Sequence, residues 1–105
     1  MKEIKINEDE YGKEFIEALE NVLEVRKKKR LVYKDTFMSD DIQFLCYQID
    51  NKIKRLKLQI ENGELKELQE NTETAKDSCI DIVNYALFLI AKINRGDRIW
   101  VINIF

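Results

Sequence analysis

Residues 73–96, ETAKDSCIDIVNYALFLIAKINRG, carry the reading that decides the fold. Over residues 85–93 apolar side chains occupy nearly every side of a helical wheel, which predicts a helix buried all round. Gly96 is its natural end, since glycine accepts the left-handed conformation that closes helices. Lys92 and Arg95 in the last turn complement the negative end of the helix dipole. Asn71 or Thr72 is the expected cap at its start. A helix apolar on so many sides needs more neighbours than a lone three-helix bundle offers, so the pattern also predicts a homo-oligomer, a dimer or tetramer.

Working outward, a second helix is expected from a capping box at Asp40 and Gln43, preceded by Ser39, to about residue 60. Its apolar stripe is Ile42, Leu45, Ile49, Ile53, Leu56 and Ile60, and Asn62-Gly63 stops it. A first helix is expected over residues 8–31, where Tyr11, Phe15, Ala18, Leu19, Val22 and Val25 recur at helical spacing and predict one wide buried face. It ends in Arg26-Lys27-Lys28-Lys29-Arg30, read either as a solvated helix end or as an edge that attracts phosphate. Residues 31–38 read as a connection, residues 64–70 as a polar segment, and residues 3–7 as a short strand or extended arm. The tail, residues 98–105, is strand-like and too apolar to remain in water, so it is expected to pair with residues 3–7 or with another subunit. The expected architecture is all-α: one domain over residues 1–105, a helical bundle of three main helices with short extended N- and C-terminal segments, assembled as an oligomer.

Composition agrees with that class and narrows function. Hydrophobic residues are 45% and charged residues 36%, with Gly 3 and Pro 0, which favours long uninterrupted helices. A net charge of −2 provides no overall field towards nucleic acid or anionic lipid, so neither is an expected partner. Residues 85–91 form the longest apolar run, far short of the roughly 18 residues of a membrane span. The N-terminus lacks a secretion signal, so the cytoplasm is the expected location. Cys46 and Cys79 fall in apolar periodic segments and are expected to be buried and reduced. With no histidine, Ser-His and Cys-His catalysis are excluded, and any enzyme must work through carboxylates and a hard cation.

Such carboxylates exist. Glu73, Asp77 and Asp81 stand at i, i+4 and i+8 and share a helix strip roughly 80° wide with Asn84. Like charges at that spacing repel, and no cation at the neighbouring positions of the same helix relieves them. Relief must come from Mg²⁺ or from basic side chains on another helix. The second helix offers Gln48, Lys52, Arg55 and Gln59 on one flank of its stripe, so an acidic and a basic strip could face each other, around a nucleotide or simply as salt bridges.

At these residues the chain resembles a known family, the phage and bacterial nucleotide-modification-associated domain related to the MazG-like all-α NTP pyrophosphohydrolases. Glu73-Thr-Ala-Lys-Asp77-Ser-Cys-Ile-Asp81-Ile-Val-Asn84-Tyr85-Ala86 is similar to the family's E-S-x-x-D-T-x-x-D-L-A-N-Y-A. Asn51-Lys52-Ile53-Lys54-Arg55-Leu56 resembles D-K-F-x-R-L, and Tyr33-Lys34-Asp35-Thr36-Phe37 resembles the end of D-Y-G-D-S-F. The likeness spans about residues 20–93. It departs at Val32, Lys34, Asn51 and Gln48, where the family has Asp, Gly, Asp and often Arg.

The resemblance implies a Mg²⁺-dependent site that cleaves a nucleoside triphosphate between its α and β phosphates. Glu73, Asp77 and Asp81 would hold the metal, Asp77 and Asp81 being the catalytic carboxylates. Tyr33, Lys34, Asp35, Lys52, Arg55 and Asn84 would contact the substrate. The lost carboxylates would weaken metal binding and favour a protein that sequesters a nucleotide or a nucleotide-derived signal without cutting it. A helical interaction module with a partner-binding apolar tail is the third reading.

Overall fold

The computed structural model describes residues 5–63 and 74–96. Those residues form a short helix α1 (Glu8–Tyr11), three long helices α2 (Lys13–Tyr33), α3 (Ile42–Glu61) and α4 (Ala75–Arg95), and a 3₁₀ turn (Thr36–Ser39) between α2 and α3. The all-helical class is as expected, and no strand occurs among the described residues. Residues 5–7 are described without strand structure; residues 3 and 4 and the tail lie outside the described residues. The chain divides into two units, one ending at Lys34 and the other beginning at Asp35.

In the first unit the expected single helix is two. Asn7 caps α1 by accepting the Asp9 N–H at 2.8 Å. Gly12, at φ 86°, then breaks the chain before α2, a conformation that glycine adopts without the steric penalty a side chain would bring. Helical phase is lost there, which takes Tyr11 out of line with Phe15, and the apolar face expected through both is not buried at that end. Both are exposed, Leu19 and Val25 are half-buried, and Val22 is the buried residue of α2. The helix outruns its predicted end and closes at Lys34, whose carbonyl accepts a bond from Arg26 Nη1 at 3.4 Å. The basic run thus includes one cation that caps its own helix.

In the second unit α3 and α4 run antiparallel. Each begins one or more residues later than predicted. Asp41, not Asp40, caps α3 by accepting the Gln43 N–H at 3.2 Å. Thr74, not Asn71 or Thr72, caps α4: its Oγ1 accepts the Asp77 N–H at 3.3 Å, while Asp77 Oδ2 accepts the Thr74 N–H at 3.0 Å. This reciprocal box satisfies two donors that a helix start otherwise leaves open. The ends are as expected, at Asn62 for α3 and at a left-handed Gly96 for α4.

The helix-to-helix seam follows a seven-residue repeat that keeps Leu45, Ile49 and Leu56 of the predicted stripe of α3, with Ile42 buried as predicted, and admits two polar residues. Leu45, Ile49, Lys52, Leu56 and Gln59 alternate at spacings of four and three residues, the period at which two α-helices stay in register. Lys52 and Gln59 therefore occupy inward positions, while Ile53 and Ile60, expected inside, are exposed. The all-round burial predicted for residues 85–93 is also absent: Leu87, Ile90 and Ile93 are exposed, since α3 and the 3₁₀ turn cover only part of the circumference. Cys46 and Cys79 are exposed for the same reason, standing beside the inward-facing Leu45 and Ser78.

The far end of α4 holds the 3₁₀ turn. Phe37 stacks on Phe88 with centroids 4.2 Å apart, and Lys92 Nζ and Arg95 Nη2 each donate to the Met38 carbonyl at 3.0 Å. Both cations stand in the last turn of α4 as predicted, and their bonds tie that turn to the 3₁₀ segment. Removing the α4 cap has a definite expected outcome: Thr74→Ala should lower unfolding stability by about 1 kcal/mol in urea titration, while Lys76→Ala, at an exposed neighbour, should change it little.

Candidate functional site

Helical geometry brings the acidic and basic strips together at one point. Lys52 projects from the middle of α3 and Asp81 from the first half of α4, and their Nζ and Oδ2 atoms lie 2.9 Å apart. Both side chains are largely shielded, 20% and 16% exposed. By contrast, Lys54 and Asp50 meet at 3.0 Å within α3 with 70% and 62% exposure. The Asp50 hydrogen bond and charge raise the Lys54 amine above its ordinary value, but solvent screening leaves such a pair little energetic weight. Shielding makes Lys52–Asp81 the consequential pair.

Its neighbours are polar too. Ser78 Oγ donates to Gln59 Oε1 at 2.6 Å, and both residues are buried. Gln59 stands seven residues after Lys52, whereas Ser78 stands three before Asp81, so the two contacts differ by four residues of helical rise, roughly 6 Å. Lysine's flexible stem spans that offset, and its methylenes lie along the seam while the ammonium reaches the carboxylate. Ser78 was not singled out by sequence reasoning. Its signal was a small hydroxyl residue three positions before Asp81, at seam spacing.

The remaining predicted residues take varied places. Asp77 is exposed and its Oδ2 is engaged by the Thr74 N–H and hydroxyl, at 3.0 and 3.1 Å, so its visible role is helix capping. Asn84 is buried and donates from Nδ2 to the Ile80 carbonyl at 3.2 Å. Arg55, one turn beyond Lys52, is exposed. Asp35 stands at the N-terminal boundary of the 3₁₀ turn in the same unit, without a side-chain capping bond, whereas exposed Tyr33 and Lys34 end α2 in the other; Lys34 has φ 53°. Glu73 lies outside the described residues.

Among the described residues no three Asp, Glu or Cys side chains gather as a metal-binding group. Asp77 and Asp81 are each tied to a neighbour, Asp77 to Thr74 and Asp81 to Lys52. The arrangement can offer an ammonium and a guanidinium to phosphate oxygens, with a carboxylate released wherever phosphate displaces it from Lys52. Compared with protein-family models, curated proteins and solved structures, the chain matches none.

The seam's energetics are testable by a double-mutant cycle. Lys52→Met and Asp81→Leu should each destabilise by leaving one charge shielded and unpaired, and the double variant should recover part of the loss. A coupling energy of about 1–2 kcal/mol in denaturant unfolding is expected, and additive effects would show that the pair is incidental.

Proposed function

We propose that the chain binds a nucleotide or a nucleotide-derived phosphate compound at the α3–α4 seam, as the likeness to MazG-like pyrophosphohydrolases suggests. The observation that carries this reading is the 2.9 Å approach of Lys52 to Asp81, since both stand in the motifs of that likeness and both turn towards one shielded seam. Phosphate would engage Lys52 and Arg55. Asn84 and Asp35, in the same unit, are the proposed contacts to the rest of the ligand. A Mg²⁺ arriving with a triphosphate would be shared by Glu73, Asp77 and Asp81, where it would supply a Lewis acid for attack of water between the α and β phosphates.

Three features lean the proposal towards binding over turnover. Val32 and Asn51 stand where the related pattern has carboxylates, and Asp77 is already used as a cap. Lys34 adds a positive charge where that pattern has glycine. The proposed setting is a cytoplasmic homo-oligomer, in keeping with the exposed apolar residues of α3 and α4.

A second reading, a helical interaction module, is favoured by the same exposure and by the Lys52–Asp81 pair acting only as a seam bridge. In that case nucleotides leave thermal stability unchanged, while deletion of residues 98–105 changes assembly.

A thermal-shift panel of ribo- and deoxynucleotides, cyclic and linear, separates the two. Ligand at 100 times its Kd should add about 2.7 kcal/mol of stability, a rise of several degrees in Tm, and Lys52→Ala should remove it. No shift with any nucleotide at millimolar concentration would sink the nucleotide reading.

Turnover has its own readout. Pyrophosphate release from a triphosphate with Mg²⁺, abolished in Asp81→Asn, is the outcome expected of an enzyme; saturable binding without release identifies the sequestering form.

A further inference from the structure

The seam uses only one side of α4. A second line on the same helix, Cys79, Val83, Ala86, Ile90 and Ile93, also alternates at spacings of four and three residues. At about 100° per residue it lies roughly 140° around the helix from the seam line of Ser78, Asp81, Tyr85, Phe88 and Lys92. That spacing is the signature of a helix-to-helix contact, and here every member is apolar. Val83, Ile90 and Ile93 are nevertheless 40%, 52% and 52% exposed, and Cys79 is exposed as well. The antiparallel phase fixed by Gln59–Ser78 and Lys52–Asp81 places the exposed Ile53 and Ile60 of α3 on this same side of the hairpin.

We propose that this face is the contact with a second copy of the chain, α4 packing antiparallel on its counterpart across a two-fold axis at Ala86. A two-fold interface must be complementary to itself, and this line is. Counted from Ala86, its members fall seven and three residues before and four and seven residues after. An axis at Ala86 therefore sets the alanines of the two copies against each other, Val83 beside Ile90, and Cys79 beside Ile93. The small methyl at the axis allows close approach, and the larger residues flank it on both sides.

Area supports the same occupant. Roughly half of each of five large aliphatic side chains, with the two cysteines, leaves on the order of 500 Å² of open apolar surface, at the upper end for a monomer. A pair sharing this face would cover that patch and the polar residues around it, against the roughly 800 Å² per partner of a stable pair. None of the line's members carries a charge, so a like helix meets it without burying an unpaired ion. This assignment specifies the assembly suggested above and stands apart from the nucleotide reading.

The test uses the full chain with Cys46→Ser and Cys79→Ser as background. Under mild oxidation Ala86→Cys should crosslink nearly completely into a dimer on a non-reducing gel, and Leu58→Cys, on the outer side of α3, should not. Light scattering should give wild-type protein twice its 12.5 kDa mass, and Ile90→Glu should return it to one with its helical circular dichroism kept. If Ile90→Glu fails to fold, the crosslink still decides. A wild-type monomer at hundreds of micromolar would overturn both the interface and the oligomer. A dimer in which Ala86→Cys stays uncrosslinked, including one lost on deletion of residues 98–105, would overturn this face while keeping the oligomer. A monomer that binds nucleotide would refute the interface alone, and a crosslinked dimer indifferent to every nucleotide would refute only the nucleotide reading.

Discussion

Two helices that meet along a seam containing Lys52, Asp81, Gln59 and Ser78 can do so in only one register, and the rest of the second unit follows from that constraint. Apolar side chains tolerate sliding by a turn, because one aliphatic surface resembles the next. A shielded ammonium does not, since a shift away from Asp81 leaves two charges short of water and short of each other. The Gln59–Ser78 hydrogen bond adds a second check seven residues further along α3 and three residues earlier on α4. Polar pairs at such positions contribute less to net stability than aliphatic packing would, and more to uniqueness.

Placing polar groups inside leaves apolar groups outside. Among the described residues the buried apolar side chains are Val22, Ile42, Leu45, Ala75 and Ile80, whereas Ile53, Ile60, Val83, Ile90 and Ile93 stand open. Each of the open ones forgoes part of the roughly 1.5–3 kcal/mol that burial of such a side chain contributes. An apolar line with coiled-coil spacing is the pattern that the proposed dimer contact would cover.

Asp77 shows how one residue can satisfy two descriptions. Its position in the acidic strip is what suggests the proposed metal-binding role, and its position three residues after Thr74 makes it the reciprocal member of a capping box. The cap is an interaction of the free chain; phosphate or metal would have to compete with it. Asp81 is in a similar position, held by Lys52 until a stronger partner for that ammonium arrives. Local partners therefore set the threshold that any ligand must exceed.

Sequence alone determined the helical class, the stops at Asn62 and Gly96, and the possibility that Lys52 would meet Asp81, because helix propensity, glycine conformation and i, i+4 spacing are properties of short segments. It misplaced the caps by one to three residues and ran α1 and α2 together across Gly12, since several neighbouring polar residues can serve as a cap and a single glycine is compatible with a continuing helix. Only the tertiary structure decided which of two lines on α4 turned inward and that Gln59 paired with Ser78. It alone showed that Cys46, Cys79, Ile53 and Ile60 faced outward, as Leu87, Ile90 and Ile93 did. Those choices depend on the phase between two helices far apart in sequence, and a hydrophobic pattern counts apolar residues without knowing which polar partner waits across the seam.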